Sequence, residues 1–242
     1  INKVNVIMLD IKNKQDIKKI KNYHYIKRYL NYLKCDVSNE KSLKKVSKII
    51  FKRYKKIDVL INAAAITDAV ERKDKDKVKN SMFENFTTKD WNRSILGNLN
   101  SMFLCSQIFG KEMIKFKNGS IINFSSTYGI VGPDQSIYTN KYKQNLFYKN
   151  PAYPTAKGAV ISFTKYLAAY WGHKGIRVNC ISPGGIQNNQ SNLFIKKYSS
   201  KTLLGRMANV EDVIGVIKLL CSDESNYITG SNLVVDGGWT SI

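Results

Sequence analysis

The sequence predicts an α/β fold, a doubly wound parallel sheet in one domain spanning residues 1–242, and three observations predict it. Short apolar runs alternate with helically spaced stretches along the whole chain. Each run ends in polar or small residues, and no linker, repeat or low-complexity segment separates them. Strand, helix and strand in that order close as parallel strands with helices packed on them.

The elements follow in order. Val4–Leu9 is an apolar run ending at Asp10, and Lys14–Leu30 has helical spacing. Tyr32–Cys35 precedes Asp36 and Val37, and the helical stretch Lys41–Tyr54 follows. Ile57–Ile61 precedes Asn62; the helix Lys89–Phe116 leads to Ser120–Phe124, which ends at Ser125 and Ser126. The helix Pro151–His173 leads to Ile176–Ile181, which precedes Pro183 and Gly184. The helix Val210–Leu220 leads to Leu233–Val235, followed by Asp236-Gly237-Gly238. Ser38 and Thr88 are the expected N-caps of the second and third helices. Parallel sheets hold ligands at the carboxyl ends of their strands, where these polar residues fall.

Composition excludes several classes. With 242 residues, 43% hydrophobic and 11% aromatic, the chain can bury one sizeable core. No stretch approaches the roughly 18 apolar residues of a membrane helix, and the start carries no export-signal pattern. Cys35, Cys105, Cys180 and Cys221 lie far apart without C-x-x-C spacing, so no metal site is expected and a reducing, cytoplasmic setting is. The net charge is +21, and residues 1–57 carry 17 basic against four acidic side chains. Such density suits a polyanion. Only six of the 39 basic residues are Arg, however, and lysine lacks bidentate phosphate geometry. Solvated lysine faces explain the charge, and neither a nucleic-acid nor a membrane partner is expected.

The chemistry centres on Tyr153-Pro154-Thr155-Ala156-Lys157. On a helix, positions i and i+4 share a face, so the Lys157 ammonium can stabilise the Tyr153 phenolate and fit it for acid/base work. Spacing alone does not single it out, because Tyr23/Lys27 and Tyr170/Lys174 share it. Context does. Only Tyr153 lies between a strand ending in Ser125-Ser126 and one ending in Pro183-Gly184, with Pro154 suited to an early helical turn.

Taken together, Asn62-Ala63-Ala64-Ala65, Asp90-Trp91 with Gly97-Asn98-Leu99, Ile121 to Ser126, Tyr153–Lys157, Arg177-Val178-Asn179 leading to Ser182-Pro183-Gly184, and Tyr227 to Gly230 leading to Val235–Gly238 resemble the short-chain dehydrogenase/reductase family. The resemblance implies a Rossmann-like sheet. It implies that Tyr153 is the acid/base, that Lys157 lowers its pKa and holds the nicotinamide ribose, that Ser126 rather than Ser125 bonds the substrate oxygen, and that Asn98 kinks its helix to hold a relay water. For the cofactor it implies Asp10 on the adenosine ribose, Asp36 and Val37 framing the adenine, Asn62, Ala63 and Ala64 in the turn beneath, and Pro183, Gly184 and Ile186 in the carboxamide loop. A carboxylate at Asp10 repels a 2′-phosphate, so NAD(H) is favoured over NADP(H); Lys12 and Lys14 lie close enough to blur this. Asn188 stands where the family often has Thr.

One departure is large. The first glycine is Gly97, so no G-x-x-x-G-x-G turn precedes Asp10. The acid normally lies about 20 residues beyond that turn. The sequence is therefore expected to be N-terminally incomplete, lacking the first strand, the phosphate loop and the first helix, and to bind NAD poorly as it stands. Ile66–Thr87 and Gly132–Ala152 look longer than the family pattern and should border the substrate pocket. Tyr138, Tyr142, Phe147 and Tyr148 among Lys141, Lys143 and Lys149 would suit a polar or anionic, sugar-like ligand.

The Ser182–Ile186 stretch, Leu204-Gly205-Arg206-Met207 and Gly237-Gly238-Trp239 resemble the branch associated with flagellin glycosylation and nonulosonic (legionaminic-type) sugar synthesis. The resemblance also implies a homodimer or homotetramer through the helices Lys89–Phe116 and Pro151–His173, where Leu99, Met102, Phe103, Ile108, Phe163, Leu167 and Trp171 serve either that interface or the core. The expected function is NAD(H)-dependent interconversion of an alcohol and a ketone on a sugar-type or other polar small molecule. The alternatives are a catalytically inactive, family-shaped interaction protein and a polyanion-binding module.

Overall fold

The computed structural model describes residues 4–19, 30–67 and 76–242. Among the described residues six parallel strands form two sheets. β1 (Val6–Asp10) pairs with β2 (Leu30–Lys34), and β3 (Val59–Asn62), β4 (Gly119–Phe124), β5 (Ile176–Pro183) and β6 (Asn232–Val235) pair in that order. Among the described residues the parallel sheet is divided between the strands ending at Asp10 and Asn62, which share no ladder. Both parts still share a core. Ile7, Leu9 and Leu33 pack with Ile57 and Leu60 against buried Leu43, Val46, Ile50, Cys105 and Phe109.

The helices between strands carry the other wall. They are α1 (Lys14–Ile17), α2 (Glu40–Arg53), α3 (Lys77–Ser81), α4 (Thr88–Ile95), α5 (Ser101–Ile114), α6 (Ala152–Trp171), α7 (Asn192–Ser199) and α8 (Glu211–Cys221). α3 and α7 were not anticipated. The former has five residues, too few to show a period, whereas Ser191 followed by Phe194, Ile195 and Tyr198 is a legible cap and apolar face. Of the expected helix Lys14–Leu30 only α1, Lys14–Ile17, is helical among the described residues, and Leu30 instead begins β2; residues 20–29, with the whole Tyr23/Lys27 pair, lie outside those described.

Two caps fall one residue from expectation. Asn39, not Ser38, caps α2 by accepting from Ser42 N at 3.0 Å, because Ser38 donates both its N–H and its Oγ to Asp36 Oδ1 at 2.9 and 2.7 Å. Thr87, not Thr88, caps α4, accepting from Asp90 N at 3.1 Å while its hydroxyl donates to Asp90 Oδ2 at 2.8 Å. Both satisfy otherwise orphaned helical N–H groups. The single helix expected over Lys89–Phe116 is broken: Leu96–Asn100 is one π turn between α4 and α5.

The second core lies between β4, β5 and α6, where Ile121, Val178, Ile176, Met113, Leu167 and Trp171 are buried. A buried amide chain crosses it. Asn62 Nδ2 donates to Ser106 Oγ at 3.1 Å and to Asn123 Oδ1 at 2.9 Å, and Asn123 Nδ2 donates to Thr164 Oγ1 at 2.9 Å. Satisfied buried amides of this kind fix register, since each would cost about 1–3 kcal/mol if left unpaired. They join β3, β4, α5 and α6 into one support for the groups at the strand ends.

Candidate active site

β4 delivers Ser125 and Ser126 into different surroundings. Ser125 is buried and its Oγ donates to the Lys157 carbonyl at 2.7 Å. Ser126 is half-buried; its Oγ accepts from Tyr128 N at 3.2 Å and opens the 3-10 turn Thr127–Gly129, which packs on α6. Thr127 Oγ1 donates to the Pro183 carbonyl at 3.1 Å, tying this turn to the end of β5. Gly129 makes the close approach possible: a Cβ there would sit 2.5 Å from Ser125 Oγ and 2.7 Å from the Lys157 backbone.

α6 presents Tyr153 in its first turn, with Tyr153 N donating to buried Asn150 Oδ1 at 3.0 Å. One turn on, Lys157 is 2% exposed, its ammonium donates to the Phe124 carbonyl at 2.7 Å, and it lies 5.7 Å from the Tyr153 ring centroid. Burial pulls the Lys157 pKa down from 10.5 to about 8, with the nearby Cys180 acting weakly in the opposite sense. Cys180, buried beneath it on β5, is pushed up to about 11.

Asn98 is fully buried in the π turn. Its Nδ2 donates to the carbonyls of Ile66 and Ser94, both at 2.9 Å, and its Oδ1 accepts from Ile66 N at 3.1 Å. The distortion expected at this residue is present, and the side chain closes the loop after β3 onto the helix. The π turn packs against α6, so Asn98, Ser126, Tyr153 and Lys157 gather around the first half of that helix.

The remaining expected cofactor residues lie at strand ends. Pro183 ends β5, Gly184 N donates to the Val235 carbonyl at 2.9 Å, and Gly185 N donates to the Tyr198 hydroxyl. Ile186 bridges Ala208 through the neighbouring Gly185 carbonyl and Gln187 N–H, so its own amide points to the opposite side. Asp10 ends β1 and its Oδ1 accepts from Lys12 N at 2.9 Å. Asp36 is exposed, Val37 is half-buried, and Ala63 and Ala64 are exposed beside the buried Asn62. The Asn62 side chain is held within the sheet.

A dinucleotide fits part of this set. The Lys157 ammonium keeps two further N–H groups for ribose hydroxyls, the Ile186 amide is turned outward, and Asp10 has a second carboxylate oxygen for hydroxyl donors. No glycine in the sequence before Gly97 can form a phosphate-cradling turn. The residues present therefore fit the nicotinamide, its ribose and the adenosine ribose, and the pyrophosphate has no glycine turn among them.

The segment between Ser126 and Tyr153 corrects one expectation. Tyr138 and Phe147 do not line a pocket. They are buried with Tyr198, Met207 and Trp239 in a satellite core. Tyr142 is 70% exposed with the Lys141 ammonium over its ring. Tyr128, which sequence reasoning passed over, meets Tyr138 hydroxyl to hydroxyl at 2.8 Å. Burial raises the Tyr128 pKa well above that of an ordinary phenol. The Tyr170/Lys174 pair is a solvated face, as expected: Tyr170 is exposed, with the Lys174 ammonium 4.9 Å from its ring centroid. Among the described residues no His/Cys/Asp/Glu cluster could hold a metal, and no helix is long and apolar enough to cross a membrane.

Fold, buried lysine and tyrosine on one helix turn define a nucleotide-linked oxidoreductase, and comparison with known proteins names its family. Residues 2–240 match the family described as enoyl-(acyl carrier protein) reductase, and the chain belongs to the short-chain dehydrogenase/reductase family. It is 32% identical over 218 residues to a 3-oxoacyl-[acyl-carrier-protein] reductase of Buchnera aphidicola, covering 88% of this chain and 79% of that one. It is 32% identical over 239 residues to the post-translational flagellin modification protein A of Campylobacter coli, covering 98% and 89%. The crystal structure of a short-chain dehydrogenase from Leptospira borgpetersenii with bound NAD+ superposes with a TM-score of 0.82 at 37% identity, covering 98% of this chain and 83% of that one. The chain is an NAD(P)-dependent oxidoreductase of this family.

Proposed function

We propose that the protein interconverts an alcohol and a ketone on a polar, sugar-type small molecule, using NAD(H) in preference to NADP(H). The observation that carries this reading is the Lys157 ammonium held 5.7 Å from the Tyr153 ring, one helical turn away and out of water. When bound, the dinucleotide supplies or takes up the hydride. Tyr153 gives its phenolic proton to the carbonyl oxygen in reduction and takes the hydroxyl proton in oxidation. Ser126 orients that oxygen, and the Lys157 cation favours the phenolate. Lys157, the Ile186 amide, Asp10, Asp36 and Val37 hold the dinucleotide. The Asp10 carboxylate at the end of β1 supports NAD(H), because it would repel a 2′-phosphate.

Similarity to an NAD-dependent glycerol dehydrogenase of Listeria innocua and a D-threitol dehydrogenase of Mycolicibacterium smegmatis supports a polar, polyol- or sugar-type substrate, and the lysines of the segment before α6 agree with it. Four free cysteines, three of them buried, support a cytoplasmic setting. Self-association into a dimer or tetramer through α5 and α6 is supported by Phe103 and Tyr166, both exposed on those helices. Met102, Leu167 and Trp171 belong to the core, and Leu99, Ile108 and Phe163 are half-buried beside it.

Titration of the full-length gene product with NADH and NADPH, followed by quenching of Trp fluorescence, tests the cofactor. Saturable binding with NADH the tighter is expected. Turnover of a panel of sugars and polyols, with Tyr153→Phe as control, tests the reaction; the variant should lose about 10²–10⁴ in rate. Binding of neither nucleotide would favour a non-catalytic interaction protein.

A further inference from the structure

α2 and α5 lie side by side and leave an open groove of about 460 Å³ between them. Its floor is apolar. Phe51 and Ile108 line it, each half-buried against the core of Leu43, Val46, Ile50, Cys105 and Phe109. Phe51 meets Phe109 ring to ring at 6.0 Å, so packed core backs the floor and holds its shape.

The banks are cationic. Lys44 and Lys48 stand one helical turn apart on α2, and Lys111 stands on the α5 bank. Lys44 is paired with Glu40, and Glu112, the acid in the groove, is taken by Lys115 at 2.6 Å. Among the described residues Lys48 and Lys111, both exposed, have neither an ion-pair nor a hydrogen-bond partner. The field around them has the same sign, since Glu40–Arg53 carries six basic residues against one acid.

An occupant must supply apolar surface for the floor and negative charge for both banks. A nucleic-acid backbone has nothing apolar to bury there. A bilayer surface cannot enter a recess, and Leu43, Val46 and Ile50 of α2 are buried, out of reach of lipid. A second copy of this chain, at net +21, would set lysine against lysine. An amphipathic helix with acids beside its apolar stripe meets both demands. We propose that the groove between α2 and α5 docks an acidic amphipathic helix of a partner protein, with an apolar side chain seated on Phe51 and Ile108 and carboxylates on Lys48 and Lys111. On its other side α5 faces α6, where Phe103 meets Phe163 at 6.3 Å between ring centroids.

Anisotropy of a fluorescein-labelled peptide of about twenty residues, long enough to be helical, with leucines on one face and glutamates on both flanks, titrated with the full-length protein, tests this. The wild type should bind it about tenfold more tightly than a scrambled peptide of the same composition, and less so as salt rises. Lys48→Glu with Lys111→Glu should remove that preference. Lys89→Glu with Lys218→Glu, an equal charge change on α4 and α8, should keep it; all four side chains are exposed, so melting temperatures should match the wild type's. No preference for the amphipathic order, a preference surviving the Lys48/Lys111 reversal, or one lost equally in the Lys89/Lys218 protein would overturn the proposal. So would a larger effect of the Lys48/Lys111 reversal on binding of polyadenylate or phosphatidylglycerol vesicles than on binding of the peptide, which would make this face a contact for a polyanion or a membrane. A change of sedimenting mass on that reversal would overturn it too, as the mark of an interface between copies.

Discussion

The Lys157 ammonium donates to the Phe124 carbonyl at 2.7 Å, which joins a turn of α6 to the last residue of β4. A cation is thereby held out of water where β4 ends and α6 begins. Its burial favours the neutral form and brings its pKa from 10.5 to about 8.

Stability should record this. Below about pH 8 Lys157 is charged in both folded and unfolded chains, and the folded state bears the full desolvation cost. Between pH 8 and 10.5 the unfolded chain binds more protons, so this group's contribution rises with pH. Cys105, raised by burial from 9.0 to about 12, acts in the opposite direction at higher pH. The difference between wild type and Lys157→Met isolates the lysine. Urea unfolding should show that difference moving in favour of the wild type by about 2 kcal/mol from pH 7.5 to 10; a constant difference would mean the ammonium is well solvated.

Ser125 and Ser126 should separate stability from activity. Ser125→Ala removes a buried donor from the Lys157 carbonyl and is expected to lower stability by about 1–2 kcal/mol. Ser126→Ala should leave the unfolding midpoint nearly unchanged and lower kcat/KM by about 10²-fold or more, as loss of an oxyanion partner does. The reverse pattern would move the substrate contact to Ser125.

Gly129→Ala forces a Cβ to within 2.5 Å of Ser125 Oγ and 2.7 Å of the Lys157 backbone. The turn must move off α6, at a cost of about 1–3 kcal/mol. Ser126 moves with it. Thermal unfolding should show a lower midpoint and steady-state kinetics a lower kcat, whereas an unaltered midpoint would show that the turn has room.

Asn98→Leu leaves the Ile66 amide and carbonyl without their side-chain partner in a half-buried site. A loss of about 2–3 kcal/mol is expected, together with faster hydrogen exchange at Ile66. Exchange at Ile66 no faster than in the wild type would count against Asn98 as the anchor of that loop.

The strands and the candidate catalytic pair were legible because they depend on local sequence. Apolar runs of four to eight residues ending in polar ones are a short-range pattern, and Tyr153 and Lys157 share a helical face by spacing alone. The two caps slipped by one residue because Ser38 and Asn39, like Thr87 and Thr88, are neighbouring oxygen-bearing side chains. Which one caps depends on what the other meets: Asp36 holds Ser38. Tyr138 and Phe147 misled for a related reason. An aromatic beside lysines reads as a pocket wall, and only the arrival of Tyr198 and Trp239 from far along the chain makes it core.

The sequence by itself determined the parallel α/β architecture, the family, and the identity of Ser126, Tyr153, Lys157 and Asn98 as the candidate machinery. Periodicity and motif spacing are carried by residues close together in the chain. Only the tertiary structure decided that Ser125 faces the Lys157 carbonyl, that Asn98 anchors Ile66 through a π turn, and that Lys149 lies over the Tyr153 ring. Each of these depends on which distant segment fills the space beside a residue. Burial, hydrogen-bond partner and charge environment are properties of that packing, and no local pattern in the chain encodes them.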